Sequence, residues 1–244
     1  MADWERAQGT SKRQLQRAVE ALEVLVGTPA AETRALYDRA APVYEEFRNL
    51  WLALVGRSAE EAMLQDLRAV LQPGAQVLDA GAGTGVLARR VLAIEPTASV
   101  TLVDASPAML ERAAGVPGKS LVADVEALPF PNRAFDVVVS AWVIETLDEP
   151  LTAVREFVRV IRDDGHVFYT FCSLPEGWLS RGGSRLLREV IERRFAGRFL
   201  PPERTPWHDC ERSHRIRFRG GLTTEIALQK CCAVEPAVAG KDDR

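Results

Sequence analysis

Three alternating glycines constrain the fold of this chain more than any other feature of its sequence. Residues 77–85 read VLDAGAGTG, an apolar segment that ends in an acid and leads into glycines at 81, 83 and 85. Glycine has no Cβ, so the backbone can turn sharply and let a ligand lie against it. A strand, a glycine-rich loop and a helical pattern in this order predict a loop that binds a nucleotide-like cofactor.

The glycine spacing and the acid before the loop narrow the class of ligand. A dinucleotide-binding loop that starts at Gly81 needs another glycine at position 86, where this chain has Val86. The carboxylate of Asp79 would meet a pyrophosphate with like charge. The same carboxylate suits a ligand that carries an ammonium group.

Strand and helix patterns alternate from residue 75 onward, which predicts an α/β fold with right-handed crossovers and a parallel sheet covered on both faces. The predicted strands are 76–80, 99–104, 120–124, 135–141 and 166–172, and the predicted helices are 85–95, 107–114 and 150–162. Two more extended runs, 212–219 and 222–232, are joined by Gly220-Gly221 and predict a hairpin.

Further helices are predicted on both sides of this alternation. Two of them cover 11–26 and 184–196. Another begins at Thr28-Pro29 and is interrupted at Pro42. The last begins with a capping box of Ser58 and Glu61 and runs to about Leu71.

Four motifs in order resemble class I S-adenosylmethionine (SAM)-dependent methyltransferases. They are VLDAGAGTG, TLVDASPAML (101–110), LVADVEALPF (121–130) and FDVVVSAWVIETL (135–147). The resemblance covers roughly residues 36–172. YDRAAPVYEEF (37–47) is similar to the corresponding segment of the ubiquinone/menaquinone-type and of small-molecule or phospholipid methyltransferases.

The resemblance implies a seven-stranded, mostly parallel, doubly wound sheet with an N-terminal helical extension. Residues 1–72 are then expected to form the extension and a lid, and residues 73–244 the SAM-binding domain. Within that domain, residues 173–210 are expected to form an insert that contributes to the acceptor site.

The carboxyl ends of the predicted strands should converge on one crevice, where ligands bind in open α/β sheets. The resemblance implies that Asp79 orients the loop and faces the ammonium end of SAM, that Asp104 accepts from the ribose hydroxyls, and that Asp124 reaches the adenine amino group. The full set of expected cofactor contacts is Asp79, Ala80, Gly81, Gly83, Asp104, Ala105, Asp124, Val125 and Ser140, with Ser106 beside the ring and Gly85 allowing the helix to pack on the sheet.

The loop after the fourth strand departs from the family pattern. Many relatives carry a histidine there, whereas this chain has Glu145-Thr146. Glu145 is a candidate general base if burial raises its pKa, and a helix-capping or solvated acid is the alternative. The expected acceptor contacts are Tyr37, Tyr44, Trp142, Trp178 and His208, and Phe47, Trp51 and Trp207 are further aromatic candidates.

Composition indicates an ordinary soluble protein. The net charge of −3 gives no reason to expect a nucleic-acid partner, and no apolar run is long enough to span a membrane. The N-terminus lacks a secretory pattern, so a cytoplasmic location is expected. Residues 181–219 contain 11 arginines and 5 acids. This basic segment is either a solvated face or a surface for anionic substrates or lipid headgroups, which leaves peripheral membrane contact open.

The four cysteines, Cys172, Cys210, Cys231 and Cys232, show no C-x-x-C spacing. Reduced structural thiols are the first interpretation, and a thiol site for a metalloid is the alternative. No metal site is expected.

These observations together predict a SAM-dependent methyltransferase that acts on a small-molecule or lipid-like acceptor. A non-catalytic SAM-binding or scaffold protein and a thiol or metalloid methyltransferase are the alternatives. The sequence identifies neither the acceptor nor the oligomeric state.

Overall fold

The computed structural model describes residues 33–175, 185, 188–189, 192, 197–201, 212–218 and 221–230. The predicted helix at 11–26 and most of the one at 184–196 lie outside these residues. So do the candidate acceptor residues Trp178, Trp207 and His208.

A single sheet organises the described residues, and its strand order is β3-β2-β1-β4-β5-β7-β6. The strands are β1 (Gln76–Ala80), β2 (Ser99–Asp104), β3 (Lys119–Val122), β4 (Phe135–Ala141), β5 (Ile161–Cys172), β6 (Arg212–Phe218) and β7 (Thr223–Gln229). β1 to β5 pair in parallel, whereas β7 runs antiparallel to both β5 and β6. The predicted α/β class, the mostly parallel sheet and the terminal hairpin are confirmed.

Six helices are described in full around this sheet. They are α1 (Thr33–Ala40), α2 (Tyr44–Trp51), α3 (Arg57–Val70), α4 (Val86–Ile94), α5 (Pro107–Arg112) and α6 (Pro150–Val160). Within the described part of the chain, no helix is long and apolar enough to cross a membrane.

Helices cover both faces of the sheet, because successive residues of a strand point to opposite sides. Val77 of β1 packs in one apolar cluster with Met63 and Leu67 of α3. Its neighbour Leu78 packs in a second cluster with Phe157 of α6. Helix α3 therefore contributes directly to the core of the sheet.

Two local predictions were wrong. Ser58 and Glu61 do not cap α3, because a π-helical turn at Leu52–Gly56 joins α2 to α3 without a break and no side-chain cap is present. Strand β5 begins at Ile161 rather than at 166, because Asp163, Asp164 and Gly165 continue the strand. Asp164 takes a positive φ of 62° there.

Replacing Phe157 by alanine should lower the free energy of unfolding by roughly 3–5 kcal/mol, because the ring is fully buried and its removal leaves a cavity. Urea denaturation followed by circular dichroism measures the change. Leu151→Ala on the same helix is the control. Leu151 is 36% exposed, so its loss should cost about 1 kcal/mol or less. Equal losses in both variants would contradict the packing described for α6.

Candidate active site

A cavity of about 550 Å³ opens at the carboxyl ends of β1, β2, β3 and β4. Six of the predicted cofactor residues line it, namely Gly81, Gly83, Asp104, Ala105, Asp124 and Val125. Tyr37, Tyr44 and Trp142, which were predicted to contact the acceptor, line it as well. Residues from four strand ends and from the N-terminal helices thus meet in one hollow.

Backbone hydrogen bonds to the end of β2 fix the glycine loop. The amides of Gly81 and Ala82 both donate to the Val103 carbonyl, at 2.7 and 2.8 Å. Gly81 has a φ of +76°, and a Cβ at this position would overlap Val143 of the β4 loop. Only glycine therefore allows the two loops to approach this closely.

Asp104 both holds the loop and faces the cavity. Its Oδ2 accepts from the Gly83 amide and its Oδ1 from the Ser106 amide, each at 2.8 Å. Burial raises the pKa of Asp104, against the lowering effect of these two hydrogen bonds. Each oxygen keeps a lone pair, so the carboxylate can still accept from two neighbouring hydroxyls of a ligand.

Ser106 connects this site to the N-terminal helices. Its Oγ accepts from the Met109 amide at 3.2 Å and so caps α5, as expected for the residue before Pro107. The same Oγ donates to Asp38 of α1 at 2.6 Å. Helix α1 is thus attached at the edge of the cavity.

Asp79, Ala80 and Ser140 form a layer beneath the loop and do not line the cavity as the described residues form it. Ser140 Oγ donates to the Ala80 carbonyl at 2.7 Å and ties β4 to β1. Burial raises the pKa of Asp79 to about 7, although a hydrogen bond from the Ala88 amide lowers it. The Gly83 amide of the loop bonds to Asp104 and not to Asp79.

Asp124 lines the cavity next to the buried Val125. Its Oδ1 accepts from the Glu126 amide at 2.9 Å, which shapes the turn after β3. The side chain therefore combines a local structural bond with a place in the cavity wall.

A second, smaller pocket of about 40 Å³ adjoins the first and shares Tyr37, Tyr44, Trp142 and Thr146 with it. The remaining lining residues are Phe47, Arg48, Trp51, Glu145, Cys172 and Gly197. Burial raises the pKa of Tyr44 to about 12 and that of Tyr37 well above its usual value, so both phenols stay neutral.

Glu145 is 4% exposed, so it is not a solvated surface acid. The thiol of Cys172 donates to its Oε1 at 3.2 Å, and its Oε2 has no hydrogen-bond partner among the described residues. Burial raises the pKa of Glu145 to about 7, and burial also keeps the Cys172 thiol protonated.

Sequence reasoning missed a buried charge network beside this pocket. Both carboxylate oxygens of Glu60 accept from Arg48 at 2.6 Å, and Arg90 approaches Glu60 Oε1 at 3.2 Å. The indole of Trp142 donates to Glu60 Oε2 at 3.1 Å, while Trp142 itself has a φ of 62°. The available signal was the helical spacing of Glu60 with Met63 and Leu67, which puts an acid on the apolar face of α3.

Cys172 is the one cysteine among the described residues, and it is a buried free thiol. Cys210, Cys231 and Cys232 lie outside them. No group of three metal-ligating side chains occurs in the part of the chain that the structure describes.

Comparison with known proteins gives consistent results. Residues 78–169 match the family described as "Methyltransferase domain". The chain is 33% identical over 175 residues to a malonyl-[acyl-carrier protein] O-methyltransferase of Halorhodospira halophila. This match covers 67% of this chain but only 58% of the relative's length. It is 30% identical over 175 residues to a ubiquinone/menaquinone biosynthesis C-methyltransferase of Syntrophotalea carbinolica, with 69% of this chain and 73% of the relative covered.

Solved structures have the same fold. The structure of a SAM-dependent methyltransferase of Thermotoga maritima, described as a possible histamine N-methyltransferase, superposes with a TM-score of 0.58 at 21% identity. The match covers 80% of this chain and 98% of that one.

The site fits the cofactor of this family. Asp79 Oδ2 is buried without a hydrogen-bond partner among the described residues, which suits an ammonium group held at the loop through a water molecule. A Cβ on Gly83 would meet only Tyr44, at 3.6 Å, so the space above the loop is open to a ligand.

Replacing Glu60 by glutamine should lower the free energy of unfolding by roughly 3–5 kcal/mol, because the buried Arg48 loses its charged partner. Urea denaturation with tryptophan fluorescence measures the effect. Glu61→Gln, at the next and exposed position, is the control and should change the value by about 0.5 kcal/mol or less. A small effect of Glu60→Gln would show that the network does not hold the N-terminal helices.

The raised pKa of Asp79 predicts a pH dependence of stability. Its carboxyl keeps its proton up to about pH 7 in the folded chain but loses it near pH 4 when unfolded, so the free energy of unfolding falls as pH rises between these values. Asp79→Asn should flatten this decline in urea titrations from about pH 5 to about pH 8. Hydrogen bonds from Thr97 lower the pKa of Glu95, so Glu95→Gln is a control that should not flatten it. An unchanged slope in Asp79→Asn would refute the assignment.

Proposed function

This chain belongs to the family of SAM-dependent methyltransferases, and on that premise we propose that it transfers a methyl group from SAM to a small-molecule or lipid-like acceptor. The observation that carries the proposal is the pair of adjoining cavities with one shared wall. The larger has the carboxylates and the open glycine loop that a nucleoside cofactor requires, and the smaller is lined largely by aromatic side chains.

Each of the predicted cofactor residues would hold a particular group of SAM. Asp104 would accept from the ribose hydroxyls, and Asp124 with Val125 would hold the adenine. Asp79 would neutralise the ammonium end from beneath the loop, with Ala80 and Ser140 supporting the strand ends. When bound, SAM supplies an electrophilic methyl carbon on a positively charged sulfur.

The shared wall would align the two reactants. Tyr37, Tyr44 and Trp142 contact both cavities, so an acceptor in the smaller pocket lies next to a cofactor in the larger one. Aligned positioning of this kind can supply ~7–11 kcal/mol of a barrier. The raised pKa values of both tyrosines keep the wall uncharged, which helps to exclude water.

The contacts of residues 33–70 support the proposal that the N-terminal extension forms a lid. Asp38 bonds to Ser106, and Arg89 Nη2 bonds to Glu45 at 2.8 Å, so α1 and α2 are attached beside the cavity by polar contacts. Contacts of this kind can break and reform when a ligand enters. Residues 173–210, with Trp178 and His208, would complete the acceptor side.

The relatives bear on the class of acceptor. One is named a malonyl-[acyl-carrier protein] O-methyltransferase and another a ubiquinone/menaquinone biosynthesis C-methyltransferase. These names support a small-molecule or lipid-like acceptor.

Asp104→Asn should weaken SAM binding at least about tenfold, since an amide offers one acceptor oxygen where the carboxylate offers two. Titration calorimetry measures the affinity, and circular dichroism checks the fold. The matched control is Asp136→Asn on β4. Asp136 also accepts a backbone N–H, from Gln76 at 2.8 Å, but does not line the described cavity. Equal affinity in Asp104→Asn and wild type would refute the cofactor assignment.

Catalysis is tested separately from binding. Wild-type protein incubated with labelled SAM and a panel of quinones, phospholipids, amines and thiols should form S-adenosylhomocysteine with at least one of them. Binding of SAM without turnover across the panel would instead support the non-catalytic alternative.

A further inference from the structure

We infer that the pocket around Glu145 receives the amino group of the acceptor, so that the methylated atom is nitrogen. The inference rests on the methyl transfer proposed above and specifies the acceptor class. It comes from the charge, the aromatic walls and the size of the smaller pocket.

The walls of this pocket favour a cation. Aromatic rings of Tyr37, Tyr44, Phe47, Trp51 and Trp142 line it. The face of an aromatic ring attracts an ammonium group, most strongly when water is excluded. Trp51 and Trp142 also meet edge to face, with ring centroids 5.5 Å apart, so this part of the wall is rigid.

Glu145 supplies the hydrogen-bond acceptor that an amino group needs. Its Oε1 is already occupied by the thiol of Cys172. Its Oε2 is buried and has no partner among the described residues, although buried carboxyl oxygens are almost always hydrogen-bonded. An N–H group of a ligand in this pocket would supply the missing donor.

Arg48 is the one basic residue among the described lining residues, and it does not cancel this preference for an ammonium group. Arg48 is held by both oxygens of Glu60, which neutralise its charge. Glu145 is therefore the lining acid without a basic partner among the described residues. An anionic group such as a carboxylate would meet it with like charge.

The pocket size limits what enters. A volume of about 40 Å³ holds roughly three groups the size of a water molecule. An amino group with the carbon next to it fits, whereas the rest of the acceptor must lie outside. Because Tyr37, Tyr44, Trp142 and Thr146 line both this pocket and the larger cavity, the nitrogen would lie beside the methyl donor.

The proposed reaction moves one proton and one methyl group. The ammonium ion gives a proton to Glu145 Oε2, which frees the nitrogen lone pair. The lone pair forms a bond to the methyl carbon of the sulfonium donor, and the carbon–sulfur bond breaks with its electrons remaining on sulfur. Glu145 would thus bind the acceptor and act as its base.

Three probes of equal length test the inference in the presence of S-adenosylhomocysteine. They are propylamine, propan-1-ol and propionate, titrated near neutral pH and observed by ligand NMR. We expect propylamine to bind at least about tenfold more tightly than the other two. In Glu145→Gln that preference should fall to less than about threefold, whereas Glu149→Gln, an exposed acid of the same loop, should keep it.

Two results would overturn the inference: propionate or propanol binding the wild type as tightly as propylamine, and an amine preference that survives in Glu145→Gln. Titration of both proteins with SAM separates this failure from that of the proposed function. Intact SAM binding with either result removes the amine acceptor alone. Absence of SAM binding in the wild type removes the methyl transfer and this inference together.

Discussion

The hydrogen bonds between the glycine loop and the end of β2 determine the position of nearly every other part of the site. The Val103 carbonyl accepts two loop amides and Asp104 accepts a third. Parallel pairing places Ala80 opposite Val103, so the first residues beyond β1 arrive next to Asp104. A short shift of this register would move the carboxylate away from the loop and close the space above Gly83.

The N-terminal helices complete a site that the sheet alone leaves open. α3 packs into the core of the sheet, whereas α1 and α2 reach across its edge to Ser106 and Arg89. Glu60 of α3 connects the N-terminal helices to the sheet, because it bonds to Arg48 of α2 and to Trp142 of the β4 loop. The smaller pocket therefore depends on a charge pair that is distant in sequence from the glycine loop.

Local sequence signals predicted the sheet well and the contacts between elements less well. β1, β2 and β4 have the predicted bounds, because each is an apolar run that ends at a polar residue or a turn. The Ser58 capping box failed because capping patterns say nothing about a helix that continues from the preceding one. The six cavity-lining cofactor residues could be predicted because strand ends of a parallel sheet share one edge. The pairing of Arg48 with Glu60 could not be predicted from the sequence, because it depends on how the two helices pack against each other.

Trp142 shows how this site balances rigidity against strain. A bulky residue at a φ of 62° occupies a backbone region that costs of order 1–3 kcal/mol. Its indole hydrogen bond and its contact with Trp51 hold it there. Glycine would relax that backbone, yet it would also remove a buried indole that bonds to Glu60 and lines both cavities, at a cost of roughly 3–5 kcal/mol. Relieving the strain would therefore cost more in lost packing than it returned, so the twisted backbone persists as the smaller of two penalties.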